Sequence, residues 1–324
     1  MKFKKVVSSL IPDKKAIKLF RAQEKKISHS KWGTFTTCRL KFYFSYIQGL
    51  KQRYQPIHFF VGEVFHEELE RFYSKGLRFK PKAVLKRITD RITKQIKATP
   101  GLTGWQVNQY WKQQAILAGM LQGYVRKYKK EDKSIDVMYT EEKFKLPVDD
   151  SRYLYEGFID MGYKQKKFKR LMDHKSTSSI SKDTLRQMKM DDQLIGYAYA
   201  DKEITGKLAE RVVYNIVKKS QLRQGKNETF EQYLDRIEDQ YETQPKEYFN
   251  RTSIPISPKR ITEWKDSFKM IGSEIDHTIE TKNFVQSKSA CSLYGGCQYL
   301  DLCSAGINKG TLSQYTRGKK KEKK

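Results

Sequence analysis

The sequence predicts an α/β fold with a central mixed β-sheet flanked by helices, and three observations point there. The texture changes at Tyr139, after which three short runs read as strands: "YTEEKFKLPV", "RYLYEGFIDMGY" and "FKRLMDHKST". The basic turn "KQKK" (164–167) joins the second and third as a hairpin. A helix over 181–203 and a further strand, "RVVYNIVKKS" (211–220), follow. The order helix, three strands, helix, strand, helices fits a layered α/β sandwich.

The remaining elements follow from local pattern. Residues 1–27 are basic and irregular or loosely helical. "SHSKWGTFTTCRLKFYFSYIQGL" (28–50) opens on cap-type serines and carries Cys38 amid aromatics. Over 58–76, Phe65, Leu69, Phe72 and Tyr73 recur at helical spacing, and Gly76 is a C-terminal stop. Residues 82–130 are helical in pattern and lysine-rich, interrupted by the turn "TPGLTG" (99–104). Residues 227–282 read as charged helix broken by "RTSIPISPKR". No internal repeat is present. The expected organisation is a basic leading segment (1–27), one domain (28–310) with a helical subregion at about 77–135, and a basic tail (311–324).

Composition narrows the function. The 324 residues suffice for a sizeable core, and 38% hydrophobic with 13% aromatic content argues against wholesale disorder. A net charge of +28 points to a polyanionic partner, most often nucleic acid. An anionic membrane surface is the weaker rival, since no long basic amphipathic helix stands out. No run of eighteen apolar residues spans a bilayer. The start, "MKFKKVVSSLIPDKK", imitates a signal peptide, but serines interrupt its apolar run before Pro12 and Asp13. A cytoplasmic protein is expected, whose four cysteines are metal ligands or free thiols rather than disulfides.

Chemistry concentrates in "LMDHKSTSS". In a strand, Asp173 and Lys175 point to the same face. Alone, such a pair is usually a solvated ion pair. Asp160, however, ends the stretch "EGFID", and a hairpin turning at 166–167 sets 160 opposite 173. Two carboxylates so close are costly unless a cation sits between them, and hard divalent metals favour oxygen ligands. Such a metal would polarise a phosphate and lower the pKa of a bound water. Lys175 would orient that water or stabilise developing charge. His66, in "GEVFHEELE" with Gly62 one turn earlier, is either a packed histidine or a nitrogen ligand. Gln193 and Tyr197 share a helix face at i, i+4, as packing or as contacts to phosphate or water.

Gly62…His66, Gly157…Asp160, Asp173-His174-Lys175 and Gln193…Tyr197, in this order, resemble the PD-(D/E)XK nuclease superfamily, specifically its RecB-like and Cas4-like branch. The resemblance covers about residues 28–303. It implies a restriction-endonuclease-like core and a Mg²⁺ or Mn²⁺ ion held by His66, Asp160, Asp173 and the main-chain carbonyl of His174. It further implies Lys175 as the water-orienting residue. The family often adds a glutamate on the preceding strand, which Glu141 or Glu142 fits loosely. The implied activity is a DNA nuclease, an exonuclease more than an endonuclease, acting on single strands or duplex ends in bacterial or phage replication, recombination or repair. Two other readings stand beside it. One is a non-catalytic nucleic-acid-binding protein on a nuclease-like scaffold. The other is a subunit that needs a helicase or recombination protein, since no P-loop of the helicase kind is present.

Cys291-x5-Cys297-x5-Cys303, with Cys38 far upstream, resembles the iron–sulfur staple of Cas4-like and AddB-like nucleases, where four thiolates ligate a [4Fe–4S] cluster. Those proteins commonly show C-x2-C-x5-C, whereas this chain has five residues in the first gap; structural zinc is the alternative. Either staple would close most of the chain into one loop and constrain the unfolded state.

Overall fold

A computed structural model of the chain describes residues 13–317. The second half of the terminal tail (318–324) and the first dozen residues of the basic leading segment lie outside the described residues. The strands run β1 (Lys26–Ile27), β2 (Leu50–Gln52), β3 (Ile135–Pro147), β4 (Leu154–Gln165), β5 (Phe168–Thr177), β6 (Arg211–Lys218), β7 (Phe249–Pro255) and β8 (Tyr315–Arg317). The fold is mixed α/β, with a central mixed sheet flanked by helices, as the sequence predicts.

The chain divides into two compact units. The first comprises the chain up to Arg53, Lys145–Gly157 and the part from Glu263 onward. In it β1 runs parallel to the first residues of β4, and β2 pairs antiparallel with β8. Its core is aromatic: Trp264 and Phe268, one turn apart on the helix Pro258–Thr281, pack on Trp32 and on Tyr155 of β4. Ser28 caps the helix His29–Thr37 by accepting from the Lys31 amide, as its cap-type serine suggests.

The second unit, Tyr54–Phe144 with Phe158–Thr262, holds the rest of the sheet. The strand order β4-β5-β6-β7 is antiparallel, parallel, antiparallel. β6 is buried along its whole middle, which is why "VVYNIV" is apolar on both faces except at Asn215 rather than alternating. The β4–β5 hairpin closes between Gln165 and Phe168, with Lys166 in the left-handed region at φ 56. Helices Ile57–Ser74, Pro81–Lys97, Gln113–Asp132 and Phe230–Thr243 supply the apolar cover. Gly119 and Gly123 let two of these approach closely: an added Cβ would stand 2.5 Å from the Ile237 side chain and 2.6 Å from that of Tyr241.

Three expectations are corrected. The helix over 181–203 is broken into Lys182–Met188 and Asp192–Thr205, because Asp191 turns its carboxylate onto the Gln193 amide and starts a new helix. The first half of the break "RTSIPISPKR" belongs to a strand, β7, whose antiparallel pairing with β6 sequence periodicity alone does not reveal. The helix at 82–130 is three helices, with Thr103 forming a capping box after the predicted turn.

Candidate active site

The site lies wholly in the second unit. The hairpin register pairs Met161 with Met172, so the next positions along it are Asp160 and Asp173, as the turn at 166–167 requires. Asp160 Oδ2 accepts from the His174 main-chain amide at 2.8 Å and stands 3.3 Å from His66 Nδ1. His66 comes from the helix Ile57–Ser74. Ligand atoms of His66, Glu141 and Asp160 all lie within 4.8 Å of one another. Among the described residues this is the one group of three or more metal-type ligands so arranged.

Glu141 is the residue that the sequence reading left between two neighbours. It sits inside β3 at φ 50, a left-handed conformation that a non-glycine residue adopts at a cost. That step interrupts strand alternation at the place where its carboxylate joins His66 and Asp160. The signal available in advance was the acid pair in "YTEEKFK", which could not say which glutamate turns inward.

A second chain of contacts starts at Asp173. Lys175 Nζ lies 3.1 Å from Asp173 Oδ2 and donates to Gln193 Oε1 at 2.8 Å. Gln193 Nε2 donates to the Tyr197 hydroxyl at 2.7 Å. Four of the sequence-selected residues therefore form one line, from carboxylate through ammonium and amide to phenol. Asp191 holds the amide's helix, accepting from the Gln193 main chain at 2.7 Å and from the Tyr214 hydroxyl at 2.5 Å. Sequence reading passed over both residues, although an aspartate two places before Gln193 has the form of an N-cap.

Electrostatics follow from burial. Desolvation, aided by Asp173, raises the Asp160 carboxyl to about 8, against the pull of Lys175 and the His174 amide. Burial opposes the charge on Lys175, yet Asp173 and Asp160 outweigh it and hold the ammonium above its usual value. Burial lowers His66, leaving a neutral imidazole with a lone pair to offer. Buried Asp173 is paired through both oxygens with the Lys175 ammonium, at 3.1 and 3.3 Å. A divalent cation meets these conditions: oxygen and imidazole donors and crowded carboxylates that one ammonium only partly offsets.

The His174 side chain offers no ligand to this group, though its ring stands edge-on to that of His66 at 6.1 Å. Its ring turns to the other face of β5, stacked on Tyr73 at 5.6 Å. Gly62 is not required by packing, since an added Cβ would meet only Ser176 Oγ at 3.9 Å.

A model of the PD-(D/E)XK nuclease superfamily matches residues 26–304. The chain belongs to this superfamily. Among PD-(D/E)XK proteins the substrate is nucleic acid, in keeping with the basic composition found here. A solved structure titled "Crystal structure of SSO0001" is similar over 94% of this chain and 100% of its own, at 12% identity and a TM-score of 0.34. No curated protein matches the sequence. No helix among the described residues is long and apolar enough to cross a membrane.

In the first unit of this PD-(D/E)XK chain, the four cysteines are free and half-buried. Burial, together with Cys297, Cys38 and Cys291, pushes the Cys303 thiol up to about 12. Cys38 Sγ lies 3.5 Å from the Ser287 amide, which ties the upstream cysteine to the C-terminal segment.

Proposed function

We propose that the chain is a Mg²⁺- or Mn²⁺-dependent deoxyribonuclease that hydrolyses phosphodiester bonds at DNA ends, and so an exonuclease. The observation that carries this reading is the joining of His66, Glu141 and Asp160 to the Asp173–Lys175–Gln193–Tyr197 line in one half-buried, charge-crowded group. His66, Asp160, Asp173 and the His174 carbonyl would hold the ion, with Glu141 beside them. When bound, the ion polarises the scissile phosphate and makes water a nucleophile at neutral pH. Lys175 orients the water and offsets negative charge that grows on the phosphate. Gln193 keeps the ammonium aimed, and Tyr197 fixes the Gln193 amide.

The same reading places the chain in the RecB-like and Cas4-like branch, in a bacterial or phage-infected cytoplasm, serving recombination or repair with or without a helicase partner. In the first unit, Cys38, Cys291, Cys297 and Cys303 would ligate a [4Fe–4S] cluster. Among the described residues the thiols do not gather as closely as His66, Glu141 and Asp160 do, so the assignment rests on the resemblance in cysteine spacing. Iron and sulfide analysis of protein purified without oxygen, beside zinc analysis, separates the cluster from a structural zinc.

The test of activity is hydrolysis of end-labelled single- and double-stranded DNA with Mg²⁺, Mn²⁺ or EDTA, for wild type, Asp173→Ala and Lys175→Ala. Metal-dependent products that shorten from an end and vanish in both variants are expected. Internal cuts alone would remove the exonuclease assignment, and binding without cutting would remove the nuclease.

A further inference from the structure

Strand β5 presents a second row of polar groups on the face opposite Asp173 and Lys175. The registers set His174 against Asn215 of β6, and Asn215 against Arg251 of β7. These three side chains form a line across three strands. Arg251 Nε donates to Asn215 Oδ1 at 3.2 Å, so the oxygen of that amide faces the arginine. Its nitrogen then faces the other way, 2.9 Å from the Tyr124 hydroxyl and 2.7 Å from His174 Nδ1. An amide nitrogen only donates, so His174 Nδ1 is an acceptor and the ring proton sits on Nε2. Arg251 is itself locked by a two-pronged pair with Asp132, at 2.6 and 3.0 Å, and by Tyr73 and Tyr124 at 3.1 and 2.9 Å. Asp132, Asn215 and Tyr124 are fully buried, and His174 is 3% exposed.

The row meets the site at three points, the most direct being the His174 ring edge-on to that of His66 at 6.1 Å. His174 carries the main-chain amide that holds Asp160, and it lies between Asp173 and Lys175. Tyr73, whose ring stacks on His174 and whose hydroxyl joins Arg251, is seven residues from His66 on the same helix. One network therefore grips both the strand and the helix that supply the candidate ligands.

We propose that Asn215 and Arg251 are positioning residues, which fix the His174 ring and with it the backbone that sets Asp160, Asp173 and His66 for a divalent ion. This rests on the nuclease reading above. A merely structural network would stabilise the sheet and leave ion affinity untouched. A positioning network, acting through groups behind the ligands, changes affinity by roughly 10- to 100-fold when broken.

The experiment is Mn²⁺ binding followed by electron paramagnetic resonance, without DNA, on the full chain. Wild type is compared with Asn215→Leu and with Asp201→Asn, which disturbs a different buried ion pair, Lys169–Asp201. Thermal melts set a temperature at which both variants are folded. The expected result is Mn²⁺ binding weakened roughly 10- to 100-fold in Asn215→Leu, with Asp201→Asn like wild type. Equal Mn²⁺ affinity in all three overturns the inference. Equal weakening in both variants also overturns it, since the effect would then follow stability. If Asn215→Leu does not fold, Arg251→Lys replaces it: the charge facing Asp132 stays and the Nε donor to Asn215 goes. Absence of Mn²⁺ binding by wild type would instead strike the nuclease reading, so the two failures are distinguishable.

Discussion

The two faces of β5 bury polar groups in opposite ways. On the His174 face the ring, the Asn215 amide, the Arg251 guanidinium and the Asp132 carboxylate each find a protein partner. On the Asp173 face two carboxylates share one ammonium, Asp160 is pushed up to about 8, and Glu141 is held at φ 50. Burial of charge does not by itself mark a functional site; a closed network can be scaffold. The mark is like charge crowded beyond what its one ammonium offsets and held in place by strain, which a cation from outside the chain would relieve.

The largest effect should come from opening the closed face. Asp132→Asn leaves Arg251 without its buried counter-charge, and breaking such a pair costs about 3–5 kcal/mol. Urea denaturation of wild type and variant measures it. A loss within experimental error would mean that the face is not closed as described. On the open face, Lys175→Met should act on chemistry first. Removing one group that stabilises developing charge lowers turnover by roughly 100- to 1000-fold. Single-turnover hydrolysis at saturating Mg²⁺ would show it, and unchanged turnover would take the ammonium out of the mechanism.

The open face was largely legible in the sequence and the closed face was not, for a physical reason. Asp160, Asp173, Lys175, Gln193 and Tyr197 have spacings imposed by a hairpin and one helix turn, and both are local rules. The hairpin count at 166–167 was enough to set 160 opposite 173. His174, Asn215 and Arg251 meet only through the order of three strands, and β7 was hidden in a segment read as a break between helices. The hint was present: Asn215 interrupts the apolar run "VVYNIV", where a polar residue needs a buried partner. Glu141 fell between the two cases, its strand recognised but its direction set by one left-handed residue. The basic charge foresaw the substrate class without locating any contact.

A smaller effect tests the crowding on the open face. Asp160 binds its proton up to about 8 in the folded, metal-free chain. Unfolded, an aspartate releases it near about 4. Between those values the folded state holds more protons, so stability is full below about 4 and declines as pH rises toward about 8. Asp160→Asn removes that slope. In EDTA, urea midpoints at pH 5 and pH 8 should show wild type losing at least about 1.4 kcal/mol relative to the variant. Added Mg²⁺ should restore wild type at pH 8 and leave the variant unmoved. A variant whose stability tracks wild type at both pH values would mean that Asp160 is not crowded.

The smallest effect separates the needs of the fold from those of the substrate. Gly62 is inside the helix Ile57–Ser74, and an added Cβ would meet nothing nearer than Ser176 Oγ at 3.9 Å. A mid-helix glycine costs about 0.5–1 kcal/mol relative to alanine. Gly62→Ala should therefore stabilise the chain by that amount, measured by thermal melt. Ser176 follows Lys175 directly, so the space left open by Gly62 borders the end of the strand where hydrolysis is proposed. If that space admits the DNA backbone, the same variant should raise KM for DNA while binding Mn²⁺ as wild type does. Higher stability with unchanged KM would leave the glycine without a role in substrate approach, and the retained instability would then have no account in the site.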